Sequence, residues 1–202
     1  FARIDIRPRV IYGIDDRFDV YESPDPLLRA LSHSVAAQIL DSNVEEDSEH
    51  HTFTLVKRTL EDSGVCKDER FSEQPASANC SGFLIEDDIL VTAGHCVNST
   101  ASCQNQKWIF DYAYYDHAGE SFIFNNNQVY SCVELISREK NNTTGIDYSV
   151  VRLDRKTVGR KPFKIRTSGK LSDDAVLSIL GFPSGIPLKI TTGAVVRKNE
   201  KD

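Results

Sequence analysis

The segment "CSGFLIEDDILVTAGHCV" (80–97) puts an imidazole, His95, directly before Cys96 at the end of an apolar run, with Cys80 sixteen positions upstream. Imidazole exchanges protons or binds metals near neutral pH, and a buried strand has no packing need for one there. A carboxylate stands in a comparable position at Asp147. It follows the turn-forming "NNTTG" and opens the alternating run "DYSVVRL" (147–153), so its side chain can project from a strand end toward the loop carrying His95. These residue types fit proton-transfer chemistry. Metal chemistry fits less well: the cysteines, Cys66, Cys80, Cys96, Cys103 and Cys132, form no CxxC pair, and no His/Cys cluster has zinc spacing. Disulfides in an oxidising compartment are the better reading. Five is odd, so one thiol is free or its partner lies outside this chain. His33, His50, His51 and His117 sit in polar or turn contexts and read as solvated. The adjacent pair His50 and His51 cannot easily converge on one metal, because neighbours on a strand face opposite ways.

The elements that must position these residues are strands. "RVIYGI" (9–14), "SVAAQIL" (34–40), "TFTLVKRTL" (52–60), "SGFLIE" (81–86), "DILVTAG" (88–94), "KWIFDYAYY" (107–115), "QVYSCVELI" (128–136), "DYSVVRL" (147–153), "AVLSILGF" (175–182) and "LKITTGAVV" (188–196) are rich in β-branched and aromatic residues. Turn formers separate most of them. "DPLLRAL" (25–31) predicts a short helix capped by Asp25 with Pro26 first. "NVEEDSEHH" (43–51) and "CKDERFSEQPASAN" (66–79) read as exposed loops. Many short strands with frequent turns predict an all-β barrel or sandwich.

The chain has 202 residues, enough for a sizeable core, and a formal net charge of −6. That balance argues against nucleic acid, which calls for a basic face. No apolar run approaches the roughly 18 residues of a membrane span. The first residue is Phe1, and no signal-like segment is present, which suits a processed exported protein or a trimmed chain equally. Asn79, Asn98, Asn141 and Asn142 each open an N-x-[ST] triplet, a pattern too short to assign glycosylation.

"TAGHC" with its upstream Cys80 resembles the histidine loop of chymotrypsin-like serine peptidases. The resemblance implies that His95 is the general base and that a Cys80–Cys96 disulfide clamps its loop. The physical reason is geometric: a base must stay within about 3 Å of the proton it accepts, and a shift of about 1 Å can cost on the order of 100-fold in rate. "DYSVVRL" resembles the family's D-x-[AS]-x-[LV]-x-L motif, implying that Asp147 orients the imidazole and stabilises its charged form. Asp111, Asp116 and Asp154 are rivals for that role. Asp154 follows the strand and the other two lie in an aromatic segment without such a turn, so Asp147 leads. Four stretches are also similar to bacterial glutamyl-endopeptidase-like secreted enzymes: "VIYGIDDRFDVYE" (10–22), "ERFSEQPASANCSGFLI" (69–85), "DYSVVRLDRKTVGRKPFKIR" (147–166) and "LGFPSGIPLKITTGAVV" (180–196).

The family's serine motif, G-[DN]-S-G-[GS]-P, does not occur after Asp147. "DSG" (62–64) precedes His95 and lacks the leading Gly. "GFPSG" (181–185) lacks the acidic or amide residue before Ser184, and Pro183 removes an N–H, so it better resembles a strand and turn. After "RKPFKIR" (160–166) about two strong strand signals remain. Two strands cannot close a barrel, and a free edge beside Val195 and Val196 would expose backbone and apolar surface. The expectation is therefore further chain carrying the serine.

The reading is thus an all-β protein of two antiparallel six-stranded β-barrels, the second incomplete here. Residues 1–20 are expected as an arm or propeptide remnant, 21–155 as the first barrel with His95 and Asp147, and 156–202 as linker and start of the second barrel. In the wider family a freed amino terminus orders the specificity region, which makes Arg9–Val10 a candidate cleavage bond in a zymogen. The expected function is a secreted or periplasmic serine endopeptidase acting on proteins or extended peptides. It would need no cofactor, and the nucleophile would lie in a C-terminal remainder, so this chain alone would be inactive. The alternative is a catalytically inert, peptidase-like binding module. Cys103 is expected to pair with Cys66 or Cys132.

Overall fold

Residues 15–56, 58–117 and 122–197 are described by the computed structural model of the chain. The strand expected at 9–14 and the Arg9–Val10 bond lie outside them.

Alternation builds the central barrel. In β10 (Asp147–Leu153), Ser149, Val151 and Leu153 are buried while the residues between them are not, the period-2 pattern of a strand with one face in a core. Its neighbours are β6 (Ile89–Thr92) and β9 (Val129–Lys140). With β2 (Val35–Leu40), β5 (Cys80–Leu84) and β7 (Gln106–Phe110) they close a six-stranded antiparallel barrel in the order β10-β6-β5-β2-β7-β9. Leu84, Leu90, Trp108, Phe110, Tyr130 and Val151 fill it. Gly82 makes room: a Cβ there would collide with Trp108 and Leu90. A short helix, α2 (Thr100–Gln104), is tied to β9 by the buried Cys103–Cys132 disulfide. This resolves the pairing of Cys103, and Cys66 is an exposed free thiol.

Two smaller sheets flank the barrel. β1 (Phe18–Asp19), β12 (Lys189–Val195) and β11 (Val176–Gly181) form one in the order β1-β12-β11. β3 (Val44–Asp47), β4 (Thr52–Leu55) and β8 (Ile123–Asn125) form the other in the order β3-β4-β8. A second apolar cluster, including Val20, Ile39, Tyr112, Phe182, Leu188 and Ile190, joins these parts to the barrel wall. Helix α1 (Pro26–Ser32) starts as its sequence dictates: the Asp25 side chain accepts from Leu27 N–H, and Pro26 occupies the first turn, where no N–H is needed.

Two expectations need correction. "NVEEDSEHH" is not wholly loop, because Val44–Asp47 pairs with Thr52–Leu55. Acidic side chains suit a sheet edge, where they stay solvated and deter further pairing. The run "KWIFDYAYY" ends as a strand at Phe110, because Asp111 takes a left-handed φ of 62°. Its carboxylate there binds His33 and Arg160.

Candidate active site

β6 ends at Thr92, and Ala93–Cys96 forms a tight turn closed by Cys96 N–H donating to Ala93 C=O at 3.0 Å. His95 stands at its apex, with a side chain 61% exposed. Gly94 is required by close approach: a Cβ would lie 2.5 Å from the Glu139 carbonyl oxygen and 2.8 Å from that of Tyr148. Backbone atoms cannot give way as a flexible side chain can. Cys96 is bonded to Cys80 at the start of β5, with Cα atoms 6.2 Å apart. The Cys96 carbonyl accepts from Gln38 Nε2 at 3.2 Å, and the Gly94 carbonyl from Arg138 Nε at 2.7 Å. The turn is therefore held on both sides of the imidazole.

Asp147 is the first residue of β10, in phase with the inward-facing Ser149, Val151 and Leu153, so it sits at the barrel rim. Its Oδ2 is 2.7 Å from His95 Nδ1, and its Oδ1 accepts the His95 backbone N–H at 2.9 Å. An ionised carboxylate only accepts, so Nδ1 carries the hydrogen. In the neutral ring that leaves Nε2 as the basic nitrogen. Lys140 Nζ also donates to Oδ2, at 3.0 Å. The His95 hydrogen bond pulls the Asp147 carboxyl down to about 2; burial opposes this and Lys140 reinforces it.

Sequence reasoning singled out His95, Asp147, Cys80 and Cys96, and the structure brings all four together. It missed Lys140 and Arg138. The signal was available in the hairpin: "NNTTGI" separates β9 from β10, and the register pairs Lys140 directly with Asp147. The rival carboxylates are engaged elsewhere. Asp111 binds Arg160 and His33, and Asp154 binds Arg155. Asp116 lines a shallow hollow with Tyr21 and Gln74. His33 stacks on Tyr115, His50 pairs with Asp47, and His117 packs against Tyr21, so three of the histidines expected to be merely solvated have partners.

Among the described residues no serine hydroxyl is hydrogen-bonded to His95. The Ser63 hydroxyl donates to the Thr59 carbonyl. Ser184 lies in a turn with φ of 53°, where the neighbouring Gly185 carbonyl accepts from Ser77 and Ala78 N–H. Sγ of Cys80 and Cys96 and a nitrogen of His95 fall within 4.8 Å of one another, but the sulfurs are bonded together and offer no thiolate to a metal. A cleft of about 540 Å³ opens beside the dyad, walled by Phe83, Val91, Ala93 and Asp147 of the barrel and by Ile179 and Leu180 of β11. A second hollow, about 360 Å³, shares no lining residue with the site. Among the described residues no helix is long and apolar enough to cross a membrane.

The profile of the family described as "Trypsin-like peptidase domain" matches residues 80–202. A solved structure of a Glu endopeptidase in complex with MPD is similar over 94% of this chain and 73% of its own, with 18% sequence identity and a TM-score of 0.49. A search of curated proteins found no match.

Proposed function

Because this chain belongs to the trypsin-like peptidase domain family, we propose that it is the His- and Asp-bearing part of an exported serine endopeptidase. His95 takes the proton of a serine hydroxyl through Nε2 and later returns it to the leaving amine. Asp147 fixes the Nδ1–H tautomer and stabilises the imidazolium. The observation that carries this reading is the 2.7 Å contact between His95 Nδ1 and Asp147 Oδ2 at the rim of a closed barrel. The Cys80–Cys96 clamp supports it by restricting the imidazole's loop.

The family's serine motif does not occur after Asp147 in these 202 residues; in this reading His95 serves a serine supplied from outside them. The cleft between the barrel and β11 is the space where that serine, and then an extended peptide, would meet the dyad. Resemblance of residues 69–85, 147–166 and 180–196 to glutamyl-endopeptidase-like secreted enzymes favours that branch, and two disulfides favour an extracellular or periplasmic setting.

A second reading, an inert peptidase-like binding module, rests on the same missing motif. Hydrolysis of a peptide library by the intact gene product separates the two. Cleavage that His95→Ala abolishes supports the enzyme; peptide binding without cleavage supports the module.

A further inference from the structure

The end of β9 touches both halves of the dyad. Arg138 holds the Gly94 carbonyl just before His95, and Lys140 holds Asp147. The second contact has an unusual property: Lys140 Nζ and His95 Nδ1 share one acceptor, Asp147 Oδ2, at 3.0 and 2.7 Å. The arrangement is built into the sheet, since Lys140 and Asp147 are opposed residues of the β9–β10 pair, and opposed side chains lie on one face. Hairpin hydrogen bonds fix that register, from Asn141 N–H to the Ile146 carbonyl at 2.8 Å and from Gly145 N–H to the Asn141 carbonyl at 2.9 Å.

The geometry points to Lys140 as a positioning and charge-tuning residue of the His95–Asp147 pair, one that shares Oδ2 with the imidazole and so limits how strongly the carboxylate holds Nδ1–H. This rests on the dyad reading above. Two cations drawing on one oxygen compete: charge given to the ammonium is withheld from the imidazolium. The ammonium also keeps Asp147 ionised to lower pH than the imidazole alone would, consistent with its place among the causes that depress that carboxyl. Among the described residues, the titratable side chains hydrogen-bonded to Asp147 are His95 and Lys140, with Arg138 two residues before Lys140 on β9.

The test is NMR of the intact gene product as wild type, K140Q, K140R and D147N, with amide spectra confirming the fold. Lys140 is at the surface, its side chain 35% exposed, so folding is expected in each case. In K140Q the Asp147 carboxyl carbon should titrate about half a pH unit or more higher than in wild type. The His95 Nδ1–H resonance should move downfield as the bond to Oδ2 ceases to be shared. K140R should restore both, since it returns the charge. A carboxyl titration and an Nδ1–H resonance unchanged in K140Q would overturn the proposal. An Nδ1–H resonance that survives in D147N would instead overturn the pairing beneath it, and the proposal with it.

Discussion

The carboxyl of Asp147 is held near pH 2, chiefly by the His95 hydrogen bond and then by Lys140, against an ordinary value of 3.8. Asp111 is also held well below that value: burial alone would raise it, but the His33 and Arg160 hydrogen bonds outweigh the burial. A carboxyl whose folded value is depressed gives stability that is fully present above its unfolded value and is lost as pH falls through the folded one. The protein should therefore keep constant stability down to about pH 4 and weaken progressively toward pH 2, as followed by urea denaturation at each pH. An Asp111→Asn variant should flatten that dependence. In the intact gene product, Asp147→Asn should lower kcat on the order of 10⁴-fold with the fold retained, because an amide no longer enforces the Nδ1–H tautomer. Steady-state peptide hydrolysis reads this directly. At this scale the sequence was informative. His95 and Asp147 were legible because their neighbours, Gly94 and Cys96 on one side and the alternating Ser149, Val151 and Leu153 on the other, carry geometric constraints of their own. Lys140 was missed, because its meaning emerges only when the "NNTTGI" turn is read as a hairpin whose register sets it opposite Asp147.

Between residue and molecule lie the turn and the hairpin that aim the dyad. Gly94→Ala puts a methyl group against two backbone carbonyls, so the turn must move, and a displacement of about 1 Å at His95 should cost on the order of 100-fold in kcat/KM. The expected signature is lost activity together with a lowered Tm, since the clash is with backbone and not with a flexible side chain. Replacing Cys80 and Cys96 together by Ser frees a loop of sixteen residues, which the chain-entropy estimate puts at about 3 kcal/mol, measurable as a drop in the urea midpoint. Element types were mostly readable from β-branched alternation and the Asp25–Pro26 cap. The acidic strand Val44–Asp47 was not, because its place in a sheet is set by pairing with Thr52–Leu55 and not by its own propensity.

Across the whole molecule, contacts far apart in sequence hold β11 and β12 to the rest. Phe18 pairs with Ile190, and Asp16 accepts from Gly193 N–H at 2.7 Å. Lys189 is buried against Asp19 at 2.5 Å, with its ammonium over the Phe71 ring. Such pairs are invisible to local pattern, which is why the first described residues could be read only as an arm. Asp19→Asn strands a buried ammonium and should destabilise the fold by about 3–5 kcal/mol, whereas replacing Asp19 and Lys189 together by apolar residues should cost much less. A double-mutant cycle in urea resolves the difference. The measurement that bears most directly on the dyad as catalytic machinery is fluorophosphonate labelling of the intact gene product. Wild type should incorporate about one label on a serine downstream of Asp147, with His95→Ala and Asp147→Asn labelled far more slowly. Labelling that proceeds equally in all three, or a wild type that is folded and never labels, would contradict the assignment of His95 and Asp147 as base and orienting carboxylate.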